Sequence, residues 1–148
     1  MAIDISKMTL PEIFKHISDL SADKRVNALK QIGNLRKEVK VLMWYTFRKD
    51  IKFDLPDGAP PYKAMEVPSN MGMNRLPAEI RKLEYLLPTS NLNKVKKEKM
   101  FIEILEAISP EEAELVLQIK EKKFKYKNIT RKLVEDALPE VFVGEKEV

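Results

Sequence analysis

Two stretches of the sequence are rich in lysine. Their side chains could bind phosphate groups. Lysine and arginine pair with the phosphates of a nucleic acid without reading its base sequence. The first stretch contains Lys94, Lys96, Lys97 and Lys99. The second contains Lys120, Lys122, Lys123, Lys125, Lys127, Arg131 and Lys132, with one glutamate between them. Both stretches predict a nucleic-acid interface.

Two aromatic residues, Phe124 and Tyr126, alternate with the lysines of the second stretch. Aromatic side chains can stack on bases or wedge between them, so we expect Tyr126 to contact a sugar or a base. Main-chain amides at the start of the last helix would add phosphate donors. A plainer alternative stays open, since lysines near helix ends also complement the helix dipole and keep helices soluble.

The sequence gives little support for a catalytic or a metal-binding site. His16 is the single histidine, there are no cysteines, and the four glycines are scattered, so no phosphate-binding glycine loop is present. The neighbouring carboxylates Glu111 and Glu112 are explained as first-turn residues that complement the helix dipole. We therefore expect a non-catalytic protein with no metal site, no cofactor and no small-molecule substrate.

The elements that position these residues are predicted to be helices, about six or seven in one all-α bundle. Thr9 with Glu12 and Ser109 with Glu112 each match a capping box. Gly33 is predicted to end the second helix, and Asn34 to begin the third. Further helices are expected from about Pro77 to Leu87, from about Asn93, and from about Asn128 to Leu138. Trp44 and Tyr45 are expected to anchor the core.

Residues 50–76 are predicted to form one long loop that contains proline and glycine and interrupts the bundle. Long irregular segments inside a domain are usually functional or partly disordered. The apolar residues of this loop could pack on the core, or they could form an adaptable contact surface for another protein. They are Phe53, Leu55, Tyr62, Met65, Met71 and Met73.

Length and composition fit a single helical domain over residues 1–148. Hydrophobic residues make up 44% of the chain and charged residues 34%, with a net charge of +4. No apolar run approaches the roughly 20 residues that a membrane span needs, and the start does not match a secretion signal. We expect a cytoplasmic protein with no membrane partner, whose ends at 1–8 and 143–148 fray.

Several stretches of the chain resemble a known DNA-binding domain. Residues 101–106, 113–120 and 129–139, closing on Leu138-Pro139-Glu140-Val141-Phe142, are similar to the end of the helical DNA-binding domain of ATP-dependent DNA ligases, especially those of phages. Residues 12–20, 22–32 and 41–47 resemble its opening helices. The chain as a whole is similar to small uncharacterised proteins of large tailed phages, including those of cyanobacteria. The resemblance implies an all-α DNA-binding fold in the host cytoplasm and does not imply ligation.

Two functions follow as hypotheses. The first is a phage accessory protein that binds duplex DNA, mainly through phosphates, in replication, repair or transcription. The second is a protein–protein adaptor that modulates a replication or transcription enzyme through the long loop. Exposure of the apolar loop residues separates the two hypotheses.

Overall fold

The computed structural model describes residues 5–66 and 75–147 and shows a compact all-α fold. That part of the chain contains seven α-helices, three short 3₁₀-helices and no strand, which confirms the predicted class and helix number. The α-helices are α1 (Leu10–Asp19), α2 (Ala22–Leu35), α3 (Lys37–Phe47), α4 (Leu76–Glu79), α5 (Lys94–Ala107), α6 (Pro110–Glu121) and α7 (Arg131–Ala137). The 3₁₀-helices are Ile5–Lys7, Ile80–Leu86 and Pro139–Phe142.

The capping residues predicted from the sequence begin their helices as expected. Thr9 Oγ1 accepts a hydrogen bond from the Glu12 amide at 3.3 Å, and the Glu12 carboxylate accepts one from the Thr9 amide at 3.0 Å. Ser109 and its partner three residues later form the same reciprocal pair at the start of α6. Asn93 Oδ1 accepts from the amide of Lys96 at 2.8 Å. These side chains satisfy amides that have no partner within their helices.

Glu112 does more than complement a helix dipole, which corrects the sequence interpretation. Its side chain is fully buried. Besides the Ser109 amide at 3.0 Å, its carboxylate accepts hydrogen bonds from the amides of Leu76 at 2.8 Å and Arg75 at 3.3 Å. The Glu112 carboxylate therefore caps α6 and also accepts hydrogen bonds from the amides at the start of α4.

Gly33 does not end a helix, contrary to the prediction, because α2 continues through it to Leu35. A Cβ atom at Gly33 would lie 3.0 Å from Leu138 Cδ2, so the glycine allows the residue after α7 to approach α2 closely. The third helix accordingly starts at Lys37 and not at Asn34.

Two further helix boundaries differ from the sequence prediction. The segment Ile80–Leu86 is a 3₁₀-helix, and it buries Ile80, Leu83 and Leu86 at the three-residue spacing of that geometry. The last α-helix begins only at Arg131, because Thr130 and not Asn128 accepts the capping hydrogen bond, here from the Leu133 amide.

The core lies where α1, α2, α3, α6 and α7 meet. Helix α2 packs against α3 and α7, and α6 packs against α1, α3 and α5. Tyr45 is buried in this core and stacks on Phe53 with ring centroids 5.2 Å apart, as a core anchor should. Trp44 packs against this core from its edge, since it is half-buried and also borders a surface cleft.

The long loop packs against the bundle over residues 50–66, the part that the structure describes. The Asp54 amide donates to the Leu86 carbonyl at 2.8 Å, and the Lys63 amide donates to the Glu106 carboxylate at 2.8 Å. Met71 and Met73 lie outside the described residues.

Hydrogen bonds connect both terminal segments to the bundle where the structure describes them. Arg36 Nη1 donates to the carbonyl oxygens of Ile5 and Met8, both at 2.9 Å. Arg48 Nη1 donates to the Val143 carbonyl at 2.9 Å. Two arginines from the middle of the chain therefore hold both terminal segments, an interaction with no local sequence signal.

Candidate nucleic-acid interface

The predicted phosphate-binding residues divide into cations that face inward and cations that face solvent. Lys97 belongs to the first group, since its side chain is 2% exposed. Its Nζ atom donates to Asp54 Oδ2 and to the Leu87 carbonyl, both at 2.9 Å. This ammonium group fastens the long loop to α5. Lys97 is therefore removed from the predicted interface.

Lys120 also faces inward, at the C-terminal end of α6. Its Nζ atom donates to the Gly58 carbonyl at 2.8 Å, to the Pro56 carbonyl, and to Glu121 Oε2 at 2.9 Å. Glu121 in turn accepts from the Gly58 amide at 2.7 Å. With its side chain 4% exposed, Lys120 holds the long loop and cannot meet a phosphate.

Lys122 and Arg131 donate hydrogen bonds to main-chain carbonyls at the C-terminal end of α3. Lys122 Nζ donates to the carbonyl oxygens of Tyr45 at 2.5 Å and Arg48 at 3.0 Å, while Arg131 Nη1 donates to that of Phe47 at 2.9 Å. These are carbonyls that an α-helix leaves without partners, at the negative end of its dipole. Burial lowers the pKa of Lys122 to about 8. Both cations therefore serve the fold, which the predicted interface did not anticipate.

Arg131 is further engaged by the C-terminal segment. Its guanidinium donates to Glu145 at 2.5 Å and 2.9 Å and lies over the Phe142 ring, 4.3 Å from the centroid. The hydrogen bonds from Arg131 hold the pKa of Glu145 at about 2, well below its usual range.

Lys123, Lys125 and Lys127 face solvent on the loop that follows α6. Burial alternates along this loop, with Phe124 and Tyr126 half-buried between the exposed lysines. Such alternation is typical of extended chain, in which neighbouring side chains point to opposite sides. Lys123 and Lys125 are thus presented on one side with Cα atoms roughly 6–7 Å apart. Lys127 follows in a turn in which the Ile129 amide donates to the Tyr126 carbonyl at 2.9 Å, and the three residues form the lysine row.

The two aromatic residues anchor this row instead of offering a stacking surface. The Phe124 ring lies 5.3 Å from that of Phe14 and 5.8 Å from that of Phe47, both close to edge-on. Tyr126 lies 5.8 Å from Phe14 and 5.1 Å from Phe124, and burial raises its pKa. Tyr126 is half-buried with its ring packed inward, so it presents only part of its surface for the predicted contact with a sugar or a base.

Two main-chain contacts fix the same loop at its ends. The Lys125 amide donates to Gln118 Oε1 at 3.2 Å, and Asn128 Nδ2 donates to the Ser18 carbonyl at 2.7 Å. The lysine row is therefore held by α6 on one side and by the end of α1 on the other.

Comparison with protein families shows which family the chain belongs to. A model described as a family of unknown function, DUF6433, matches residues 13–126. The chain belongs to DUF6433. Comparisons with the curated proteins and with the solved structures gave no match. The DUF6433 match includes α1 to α6 and the loop up to Tyr126, and it stops before α7.

Lys49 and Lys52 join the exposed cations, although the sequence analysis missed them. Both lie within the DUF6433 match, and both line a cleft of about 470 Å³ together with Lys122. In the sequence they lie outside the two lysine stretches, and Asp50 and Asp54 interrupt the positive charge around them. Only the meeting of the ends of α3 and α6 brings them to the second lysine stretch.

The remaining predicted residues stay at the surface. Lys94 and Lys96 are exposed on the first turns of α5, and their side chains have no ion pair within the described residues. Lys132 is exposed but bound to Asp136, with Nζ 3.0 Å from Oδ1, and this hydrogen bond raises its pKa. The two stretches therefore do not merge, because the loop bound by Lys97 and Lys120 lies between them.

Other kinds of site were sought in residues 5–66 and 75–147. No group of three or more histidine, cysteine or acidic residues able to hold a metal ion occurs there. No helix in these residues is long and apolar enough to cross a membrane. His16 lies half-buried in the last turn of α1.

Proposed function

We propose that this protein is a non-catalytic accessory protein that binds duplex DNA, mainly through phosphate contacts. The contact surface, here named the lysine face, consists of Lys49, Lys52, Lys123, Lys125 and Lys127. It replaces the larger set predicted from the sequence. The cations that bind main-chain carbonyls or loop carboxylates, the paired Lys132 and the separate first lysine stretch are left out of it. The resemblance to ligase DNA-binding domains and phage proteins favours a role in phage replication, repair or transcription in the host cytoplasm.

The alternation of burial from Lys123 to Lys127 is the observation that carries the proposal. A lysine-rich helix end that served only solubility would not need its lysines fixed in position. Here Phe124 and Tyr126 pack against α1 and α3, and Asn128 binds α1. The loop that presents these lysines is already ordered, so binding a phosphate chain orders less of the protein and loses less entropy.

Electrostatics supports binding to phosphates more than reading of bases. The lysine face has no exposed aromatic ring from its own loop, and lysine is a point charge without the planar fork that arginine offers to guanine. Neutralising phosphates releases counterions, so five contacts would give a slope of about −4.5 for log K against log salt. We expect little sequence preference.

Fluorescence anisotropy with a labelled 20-base-pair duplex tests the proposal at two salt concentrations. The variant Lys123→Glu/Lys125→Glu/Lys127→Glu should abolish micromolar binding, which in the wild type weakens steeply with salt. The matched control, which makes the same charge change on other exposed lysines, is Lys24→Glu/Lys30→Glu/Lys37→Glu. It should bind within about threefold of the wild type, because exposed charges beyond a Debye length are screened.

Three results would count against the proposal. These are no binding by the wild type at low salt, binding by the loop variant equal to that of the wild type, and equal losses in both variants. A third variant, Lys94→Glu/Lys96→Glu/Lys99→Glu, asks whether the first lysine stretch contributes.

The adaptor hypothesis depends on the exposure of the apolar residues in the long loop. Phe53 is buried, and Leu55 and Tyr62 are half-buried against the core. Phe53, Leu55 and Tyr62 thus serve packing, whereas Met65 is half-buried outside this core cluster, and Met71 and Met73 lie outside the described residues.

A further inference from the structure

The carboxylate of Glu145 lies in a well-formed anion site at the edge of the lysine face. The Arg131 guanidinium donates to its two oxygens at 2.5 Å and 2.9 Å, and the main-chain amide of Lys49 donates to Oε2 at 2.7 Å. The Nε atom of Arg131 is directed elsewhere, to Glu135 at 3.3 Å. A guanidinium fork with a main-chain amide is a donor set that binds phosphate as well as carboxylate, because both anions offer paired oxygens.

The charges around this site favour an anion there. The hydrogen bonds with Asp50 and the charge of Glu145 both raise the pKa of Arg48, while burial lowers the pKa of Lys122 and the same two carboxylates partly offset this. Apart from Glu145, the charged side chains at the site are Arg48, Lys122, Arg131, Asp50 and Glu135. Three cations against two carboxylates leave one positive charge in excess, so another anion would be attracted in place of Glu145.

Polar contacts hold the segment that carries Glu145, residues 143–147. Arg48 Nη1 donates to the Val143 carbonyl at 2.9 Å, and the Lys146 amide donates to Asp50 Oδ2 at 3.1 Å. The only apolar side chain of the segment, that of Val143, is 74% exposed. Charge-assisted contacts near the surface are screened by salt and open to competition by other anions, whereas a buried apolar face would not be.

We propose that Arg131 and the Lys49 amide form a phosphate site that Glu145 occupies in the free protein. When a duplex lies on the lysine face, one of its phosphates takes the place of the carboxylate, and residues 143–147 leave the end of α3. Arg131 thereby adds one cation to the DNA contact. The source of the phosphate rests on the proposed function, but the site itself can be tested with a small phosphate anion.

The chain has no cysteine, so a single label can report on the segment. Glu147→Cys places a nitroxide label at an exposed position, and Lys24→Cys on α2 is the control position. The probe anion is inorganic pyrophosphate, compared with sodium chloride at the same ionic strength. Electron paramagnetic resonance should show that millimolar pyrophosphate mobilises the label at residue 147 in a saturable way, whereas sodium chloride and the control position should show no such change.

Duplex affinity gives a second test. Glu145→Gln should bind the 20-base-pair duplex about fivefold more tightly than the wild type, because the competing carboxylate has lost its charge. Glu147→Gln makes the same charge change at an exposed residue and should alter affinity by less than about twofold. Arg131→Ala/Glu145→Gln should lose the gain. A purely structural role for Glu145 would lower stability without tightening DNA binding.

Two results would overturn the proposal. One is a label at residue 147 that stays immobile in pyrophosphate or responds equally to sodium chloride. The other is an equal gain of affinity in Glu145→Gln and Glu147→Gln, which would indicate a general effect of net charge. A label mobilised by pyrophosphate in a protein that binds no duplex would support the phosphate site and reject the proposed function. Duplex binding that leaves the label immobile would do the reverse.

Discussion

Lys120 and Lys123 are three residues apart in the sequence and carry the same charge, but they belong to different regions of the molecule. The ammonium group of Lys120 is enclosed by the long loop and holds it, whereas that of Lys123 faces solvent. Lys122, between them, has a left-handed backbone with φ of 60°. That conformation ends α6 and turns the chain, so the residues before and after it point in different directions. The same run of lysines thus contains buried residues that bind the long loop and exposed residues of the lysine row. The total charge of the run does not distinguish the two groups.

The largest effect on stability should come from removing the buried ammonium group of Lys120. Lys120→Ala removes a buried cation that binds two main-chain carbonyls, so we expect the free energy of unfolding to fall by about 2–3 kcal/mol. Urea denaturation measures this change. Lys123→Ala is the matched control and should leave the urea midpoint unchanged within error. A similar loss in both variants would erase the distinction between the two regions.

The next effect should come from removing an anchor of the lysine row. Phe124→Ala deletes a half-buried ring that touches three other rings, which should cost about 1–2 kcal/mol. Duplex affinity should also fall severalfold although no charge has changed, because the lysines lose their fixed positions. Phe124→Leu should recover most of both quantities. Affinity that stays constant in Phe124→Ala would mean that order in the loop is irrelevant to binding.

A smaller effect should appear on acidification. The folded pKa of Glu145 is about 2, below its ordinary value near 4.5, so the folded state binds fewer protons than the unfolded state between these values. The stabilisation by Glu145 is therefore complete above about pH 5 and is lost as the pH falls towards 2.

Thermal melts of the wild type and Glu145→Gln measure this contribution. The wild type should melt a few degrees higher at pH 7, and the difference should shrink as the pH is lowered through 4 to 2.5. A difference that does not depend on pH would mean that the Arg131–Glu145 contact acts through packing and not through charge.

The smallest effect should come from one lysine of the lysine row. Lys125→Ala should leave the melting temperature within about 2 °C of the wild type, because the side chain is exposed. The salt slope of duplex binding should fall by about one unit, as for the loss of a single phosphate contact. A change in melting temperature without a change in the salt slope would mean that Lys125 stabilises the fold and does not contact DNA.

Helix starts could be predicted from the sequence because capping depends on residues three apart. Thr9 and Ser109 each cap the helix that they were expected to cap, and Asn93 caps the helix that was expected to start near it. The end of α2 could not be predicted, since Gly33 is explained only by its contact with Leu138.

The candidate site could be predicted only in part, for a similar reason. The exposed lysines of the loop were identified by their clustering. The inward direction of Lys97 depends on an aspartate 43 residues away and that of Lys120 on carbonyls more than 60 residues away, so neither leaves a local signal.

The C-terminal end of α3 has a consequence for biosynthesis. Its carbonyls are bound by Lys122 and Arg131, and Arg48 beside them binds Val143, which lies 95 residues later. At about 5–20 residues per second, a ribosome needs roughly 5–20 s to make that interval. During this time α3 ends in carbonyls that only water can satisfy. We therefore expect the end of α3 to reach its final state only after its distant cations have been synthesised.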